Sequence, residues 1–242
     1  MVSISIFTAT LNAADTIGRL GEDLLRQSDP DFRWIVIDGG STDGTLGALP
    51  GGLADRTELI PGPDAGIYDA LNKALARCRS THYLVVGAAD RLEPGAVAGF
   101  RRLAQEHDAD LVAASVRDAA VGLARPGLGS PWRRGQHAYV AHHSVGTLIR
   151  TALHDRLGPY SLRFPIAADH LFIKSAVAAG ARLHVAPDFV AGEFGRGGVS
   201  NRRYAQAQLE LAAVQLQTEH HRGVQLLLLV WRLLRHWRRF TA

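Results

Sequence analysis

The sequence predicts an α/β fold: a mixed sheet, parallel in its first half, flanked by helices and followed by a C-terminal helical extension. Three observations predict it. Short apolar runs rich in β-branched residues alternate with stretches of helical spacing through the first half of the chain. The runs near Thr8, Ile37 and Val86 each end in a polar or glycine-rich cluster. With 242 residues, 47% of them hydrophobic and 21% charged, the chain can bury one sizeable core but not two.

Val2–Thr8 reads as a buried first strand, with no basic segment ahead of it to suggest a secretion signal. Ala13–Gln27 has Ile17, Leu20 and Leu24 at helical spacing and Asp15 in its first turn. Phe32–Ile37 is a second strand, followed by a loop, a short helix and a third strand near Glu58–Ile60. Ala65–Arg77 is helical and Tyr83–Val86 is a fourth strand. Pro94 suits the first turn of a helix to about His107, and Leu111–Ser115 is a fifth strand. Arg117–Gln136, with Pro126, Pro131 and several glycines, reads as an irregular excursion. His142–Arg150 and Arg182–Ala186 are strands around a helix at Ala168–Ala179, and Asp188–Ser200 is a glycine-rich, mobile loop. Helices at Arg202–His221 and Val224–Phe240 finish the chain. The first 200 residues thus form one domain, with the helices of 201–242 appended. Right-handed crossovers would gather the clusters after strands one, two and four on one edge of the sheet, where ligands bind in such folds.

Charge and cysteine content narrow the classes. The net charge is +4, but five arginines (Arg222, Arg232, Arg235, Arg238, Arg239) and no carboxylate follow His220. The rest of the chain is therefore one charge negative on balance. That pattern argues against a nucleic-acid binder, which carries its basic stripe on the folded body. The lone Cys78 excludes an internal disulfide framework and fits a reducing, cytoplasmic compartment.

Four segments offer chemistry. In Asp38-Gly-Gly-Ser-Thr-Asp-Gly-Thr45, glycines permit close backbone approach to a ligand, Ser41 can cap the next helix, and Asp38 can accept hydrogen bonds from a nucleobase or ribose. An ordinary strand–turn–helix corner fits the same residues. Asp64-Ala-Gly-Ile-Tyr-Asp-Ala-Leu-Asn-Lys73 places Asp64 and Gly66 at a helix start, with Asp69, Asn72 and Lys73 within about a turn of one another. A capped helix with a solvated face explains it equally. Asp90, at the end of a buried strand, can hold Mg²⁺ or Mn²⁺, hard ions that prefer oxygen ligands, or can serve as a turn aspartate. Asp169, at a helix start in apolar surroundings, can act as a general base or simply complement the helix dipole. His142 and His143, adjacent on a strand, would point to opposite faces and cannot chelate one ion together.

Taken in order, these segments resemble the family 2 glycosyltransferases of the GT-A fold, a Rossmann-like α/β type. The resemblance runs from about Ser3 to Ser200. It is carried by Phe7-Thr-Ala-Thr-Leu-Asn12, Asp38–Gly44, Asp64–Lys73, Ala89-Asp90 before Leu92-Glu-Pro-Gly95, His142-His-Ser144, Ala167-Ala-Asp169 and Gly197-Gly-Val-Ser200. It implies transfer of a sugar from a nucleotide-sugar donor to an acceptor hydroxyl, with inversion and a divalent cation. Thr8, Thr10 and Asn12 would line the nucleotide pocket, with Asp38, Gly39 and Ser41 at the base. Asp64, Gly66 and Lys73 would lie beside the donor, and His142 would be a wall residue. Asp90 would be the metal ligand, Asp169 the base, and Gly197–Ser200 a closing loop. The first aspartate of the family's metal pair is Ala89 here, which keeps a second reading alive: a degenerate relative that binds nucleotide or glycan without turnover. A dinucleotide-dependent oxidoreductase is disfavoured, because Thr8-Ala-Thr-Leu-Asn12 stands where G-x-G-x-x-G is needed.

Val224–Phe240 reads as an interfacial helix on the inner face of a membrane. Leu226, Leu227, Leu229, Val230, Leu233, Leu234, Trp237 and Phe240 share one broad face, opposite Gln225, Arg232, Arg235, His236 and Arg239. The acceptor would then be a glycan or a lipid-linked molecule at an anionic membrane surface. The alternative is a helix docked on the domain or on a second copy in a homodimer.

Overall fold

In the computed structural model, which describes residues 1–127, 129–141, 144–195 and 203–235, nine strands form one sheet. The strands are β1 (Ile4–Thr10), β2 (Phe32–Asp38), β3 (Thr57–Pro61), β4 (His82–Val85), β5 (Arg91–Leu92), β6 (Leu111–Asp118), β7 (Gly122–Ala124), β8 (Thr147–Arg150) and β9 (Leu183–Glu193). The helices are α1 (Ala14–Leu25), α2 (Ile67–Arg77), α3 (Ala96–Glu106), α4 (Pro131–Arg134), α5 (Leu153–Leu157), α6 (Ala168–Ala178), α7 (Tyr204–Thr218) and α8 (Arg222–Arg235). The sheet order is β3-β2-β1-β4-β8-β6-β9-β5, with β7 paired to β6.

The first four strands run parallel, as the alternation of strand and helix requires. β8 enters antiparallel between β4 and β6, and β9 lies parallel to β6. The ends of β1, β2, β4, β6 and β9 and the entrance to β8 therefore share one edge. Both faces of the sheet are covered, so β1 is a continuous buried run rather than an alternation. Ile4, Ile6, Trp34 and Val36 pack with Leu20 and Leu24 of α1 and Phe100 of α3 on one face. Phe7, Ile37 and Tyr83 pack with Leu71 of α2 and Phe172 of α6 on the other. Val214 of α7 belongs to this second core, so that helix is built into the body of the fold.

Several elements differ from expectation. β6 continues to Asp118 and turns into β7, so part of the irregular excursion is a hairpin. Two 3₁₀ turns, Thr45–Ala48 and Gly51–Arg56, replace the short helix after β2. β8 begins at Thr147 after a 3₁₀ turn over Ser144–Gly146, while His142 and His143 lie outside the described residues. The largest difference is β9, which runs past Ala186 to Glu193 and so takes in the first part of the segment expected to be a loop, Asp188–Ser200. Pro187 is tolerated inside it because the β6 ladder slips in register on either side of Ser115, so no backbone N–H is needed there. Ser115 Oγ donates to Pro187 O at 2.6 Å and holds the irregularity in place. Phe194 and Gly195 follow the strand, and 196–200 of the expected loop lie outside the described residues.

α8 is also oriented differently from expectation. Gln225, assigned to a solvated face, is buried and donates to Trp132 O at 2.7 Å. Leu228, Leu229 and Leu233 are half-buried beside it, whereas Leu226, Leu227, Val230 and Leu234 are exposed. The leucine run splits between an inner and an outer face.

Gly192 of β9 shows how tightly the second half closes. A Cβ there would lie 2.2 Å from Arg91 O and 3.1 Å from Val145 Cγ2. The first neighbour is backbone and cannot swing away, so Gly192→Ala should destabilise the fold by about 1–3 kcal/mol. Chemical denaturation of the two proteins measures it.

Candidate functional site

The site lies at the shared edge of the sheet and begins with the loops after β1 and β2. α1 has no cap of its own: its N-cap is Ala13, and its first N–H groups need partners from elsewhere. Thr45 Oγ1 accepts from Ala13 N at 2.8 Å, and Asp43 Oδ2 accepts from Ala14 N at 3.1 Å. The Thr45 hydroxyl and the backbone N–H groups of Ala14 and Thr45 hold the Asp43 carboxyl below its ordinary range. Asn12 has a left-handed backbone (φ 51°), donates its N–H to Ser41 Oγ at 2.8 Å and accepts from Thr42 N through Oδ1 at 3.0 Å. The two loops are thereby laced into one wall.

That lacing corrects several expected roles. Thr8 is fully buried and accepts from Trp34 Nε1 at 3.0 Å, so it belongs to the core and does not line a pocket. Thr10 is buried too. Asp38 is 2% exposed, and its carboxylate accepts from Gly40 N, Ser41 N and Ser41 Oγ, so it organises the loop and does not face a ligand. Ser41 bridges Asp38 and Asn12 and caps no helix. The carboxylate that reaches this corner is Asp64. Its Oδ2 lies 2.8 Å from where a Cβ of Gly39 would stand, so Gly39 leaves room for it. Asp64 Oδ1 accepts from Gly66 N at 2.9 Å, and Gly66 adopts φ 119° to begin α2. Lys73 does not stand free beside a donor: it donates to Pro63 O at 2.7 Å and pairs with Asp69 at 3.1 Å, closing the turn before α2.

Next to this wall is a cleft of about 380 Å³. Asn12, Asp15 and Thr16 line one side, Ile67 the base, and Gly87–Asp90, Ser144, Phe194 and Gly195 the other side. Asp90 is 5% exposed at its floor. Its Oδ2 accepts from Gly87 N and its Oδ1 from Gly195 N, each at 2.8 Å. Burial pushes its pKa up to about 6, against the pull of those two donors. Among the described residues no three His, Cys, Asp or Glu side chains form a metal cage. Asp90 is the buried carboxylate of the cleft, with lone pairs left on both oxygens. This donor set fits a cation that arrives bound to a diphosphate, takes one carboxylate from the protein and keeps several waters, the usual habit of Mg²⁺.

A second, smaller and mainly apolar cavity of about 90 Å³ adjoins the cleft and shares Ile67, Val85 and Ser144 with it. Tyr68, Leu71, Gln136, Tyr160 and Ile173 line it, and Asp169 reaches it from the first turn of α6. Asp169 Oδ1 lies 2.7 Å from the Tyr68 hydroxyl and accepts from His170 N at 2.8 Å, while Gln136 Nε2 approaches Oδ2 at 3.4 Å. The Tyr68 hydroxyl also lies 2.8 Å from Ile166 O. With one proton to give, it favours the ionised carboxylate, the stronger acceptor. Burial and the neighbouring charge of Asp169 raise the Tyr68 pKa well above its ordinary value, so Tyr68 stays protonated as a donor. Burial also pushes the Asp169 carboxyl up, and the Tyr68 hydrogen bond pulls it down. Glu210 of α7 fixes the start of α6 by accepting from Ile166 N at 2.8 Å and Ala167 N at 3.0 Å.

Sequence reasoning missed Tyr68, Gln136, Glu210 and the Phe194–Gly195 wall. Tyr68 stood within a segment already singled out, but its partner lies 101 positions away. The others carried no local signal. His142 and Gly197–Ser200 fall outside the described residues.

The chain matches the model of "Glycosyl transferase family 2" over residues 5–180. It is 31% identical over 170 residues to a "PGL/p-HBAD biosynthesis glycosyltransferase" of Mycobacterium bovis, covering 68% of this chain and 66% of that one. The chain thus spans just under two thirds of that relative's length. In fold it is similar to the mannosyltransferase PcManGT of Pyrobaculum calidifontis in complex with GDP-Man and Mn²⁺, with a TM-score of 0.70, 17% identity and coverage of 93% and 68%. It is also similar to S. aureus TarS 1-349 in complex with UDP-GlcNAc, with a TM-score of 0.67, 19% identity and coverage of 98% and 73%. The ordered motifs, the edge-on cleft and a family match across most of its length lead to one conclusion: the chain belongs to glycosyl transferase family 2.

Proposed function

We propose that this protein is a glycosyltransferase that moves a sugar from a nucleotide-sugar donor to the hydroxyl of a glycan or lipid-linked acceptor, with inversion, in surface glycolipid or polysaccharide assembly. The observation that carries the proposal is the pairing of two joined cavities with one buried carboxylate each: Asp90 in the larger, Asp169 in the smaller. A donor in the larger cleft would place its nucleotide along the Asn12 wall, with Asp64 at the base end and Asp90 toward the diphosphate. A divalent cation held by Asp90 would supply positive charge to the leaving diphosphate.

The chain's own residues do the rest. Asp169 takes the proton of the acceptor hydroxyl as that oxygen attacks the anomeric carbon from the smaller cavity. Its basicity suits that role, because burial makes the carboxylate a better proton acceptor than a solvated one, while the Tyr68 hydrogen bond favours its ionised form and limits the rise. The apolar lining of the smaller cavity excludes water, which would otherwise compete for the sugar. Ala89 favours a second reading, a binder of nucleotide or glycan without turnover. Slow donor hydrolysis together with acceptor-dependent transfer supports the enzyme. Donor binding with neither supports the binder.

Asp169→Asn keeps the shape but cannot take the proton. Transfer should fall by about 10²–10⁴-fold with donor affinity unchanged, measured by turnover and by calorimetric titration of the donor. Asp90→Ala should weaken binding of an Mn²⁺–nucleoside diphosphate roughly tenfold or more, and Ala89→Asp should strengthen it. Tyr68→Phe removes a donor that favours ionised Asp169, so the Asp169 pKa rises further. The acid limb of the kcat/KM profile should then move to higher pH. A limb in the same place would show that Asp169 is not the group being titrated.

A further inference from the structure

Most aspartates around the larger cleft are already committed to the protein. Asp38 is buried and holds its own loop, Asp43 serves the start of α1, and Asp64 opens α2. Asp90, on the floor, accepts from Gly87 N and Gly195 N. Asp15 is different. It lines the cleft from the first turn of α1 and is exposed. Arg19, one turn further on, is spaced to pair with it but donates instead to the Asp15 backbone carbonyl at 3.3 Å. Among the described residues no hydrogen bond or ion pair reaches the Asp15 carboxylate.

Thr16, also on the cleft, repeats the pattern. Its hydroxyl donates to Ala13 O at 3.3 Å, so its one proton is spent and its oxygen has only lone pairs left. These two neighbours therefore offer a ligand acceptors and no donor. Across the cleft, Ala88 and Ala89 have no polar side-chain atom to offer.

Chemistry limits what such a wall can meet. A carboxylate repels phosphate, so a diphosphate keeps to the Asp90 side, where a cation can screen it. The group facing Asp15 must be neutral and must donate hydrogen bonds. In a nucleotide sugar, the ribose lies between base and diphosphate, and its two cis hydroxyls are such donors. One carboxylate has an oxygen for each, and an acidic side chain reads a ribose hydroxyl in the same way in Rossmann dinucleotide folds.

We propose that Asp15 reads the ribose of the donor, accepting from its 2′- and 3′-hydroxyls, and that the donor is a ribonucleoside diphosphate sugar and not a 2′-deoxy one. The inference rests on the proposed donor reading and narrows it to one class of nucleotide.

The test is calorimetric titration of the full chain, with Mn²⁺ present, by UDP, GDP, dUDP and dGDP. The wild type should bind at least one ribonucleotide about tenfold more tightly than its 2′-deoxy form, the effect of one hydrogen bond to a charged group. Asp15→Ala should bring the two forms to within about threefold of each other, and Asp15→Asn, which keeps one accepting oxygen, should fall between. The ratio is the readout, because removing a negative charge also eases the entry of the diphosphate. Thermal unfolding of both variants should be unchanged, since the side chain is exposed and holds nothing in place. If a variant fails to fold, the wild-type ratio decides. Equal affinity of the wild type for ribo and deoxy forms overturns the proposal. So does a ratio that survives in Asp15→Ala, which would assign the diol to another group. Failure of all four nucleotides to bind removes the donor reading and this proposal with it, a result distinct from a nucleotide site that ignores the 2′-hydroxyl.

Discussion

A buried carboxylate has to find hydrogen bonds, and in this fold Asp90 finds them in two places at once. Gly87 N belongs to the turn leaving β4, in the parallel half of the sheet. Gly195 N follows β9, in the mixed half. An unpaired carboxylate at 5% exposure would cost several kcal/mol, so the two halves are constrained to end at the same point. The glycines make this possible. A Cβ on Gly195 would stand 2.1 Å from Ala89 O, and one on Gly87 would stand 3.0 Å from the Asp90 carboxylate itself. The cleft is the space left where the halves meet. Its floor is therefore a carboxylate whose first duty is structural and whose remaining lone pairs are free for a ligand.

The same constraint runs through the rest of the site. The Asp38–Gly44 loop commits its polar groups to backbone N–H groups of its own turn and of the α1 start, which gives a stiff wall with few groups left over. The carboxylate brought to that corner, over Gly39 from the α2 entrance, is Asp64. On the other side, Tyr68 of α2 and Gln136 converge on Asp169 of α6, while Glu210 of α7 holds the turn from which α6 starts. The cleft and the smaller cavity are joined by α2: its first turn lines the cleft through Ile67 and bonds Asp169 through Tyr68. A small shift of α2 would move both.

The parallel half was legible in the sequence because its strands are short, apolar on both faces and closed by polar clusters at the edge where ligands bind. The order of motifs added the fold type and placed Asp90 and Asp169 in cavities. Three things were hidden. β9 read as a loop because Pro187 and Gly192 are strand breakers until a register slip and a close backbone crossing accommodate them. Asp38, Ser41 and Lys73 sit in the motifs that suggest ligand contact, yet local backbone donors and acceptors claim their polar atoms. Gln225 read as solvated because a polar residue on a leucine-rich helix is normally its outer face. Here it reaches the Trp132 carbonyl, a partner 93 positions away that no periodicity reveals.

The alanine at position 89 bears on what a single carboxylate can do. Position 89 is exposed, so an aspartate there would stay ionised in solvent, and its charge would raise the Asp90 pKa further. With Ala89, no adjacent carboxylate adds to the rise that burial gives Asp90, whose pKa is pushed up to about 6. The carboxylate is thus ready for a cation but does not require one to hold the fold, because Gly87 N and Gly195 N already satisfy it. The expected consequence is a site that binds metal weakly alone and more strongly with the diphosphate that shares the coordination. Ala89 leaves Asp90 as the buried carboxylate of the cleft, and the Tyr68–Asp169 hydrogen bond in the adjoining cavity is formed independently of it.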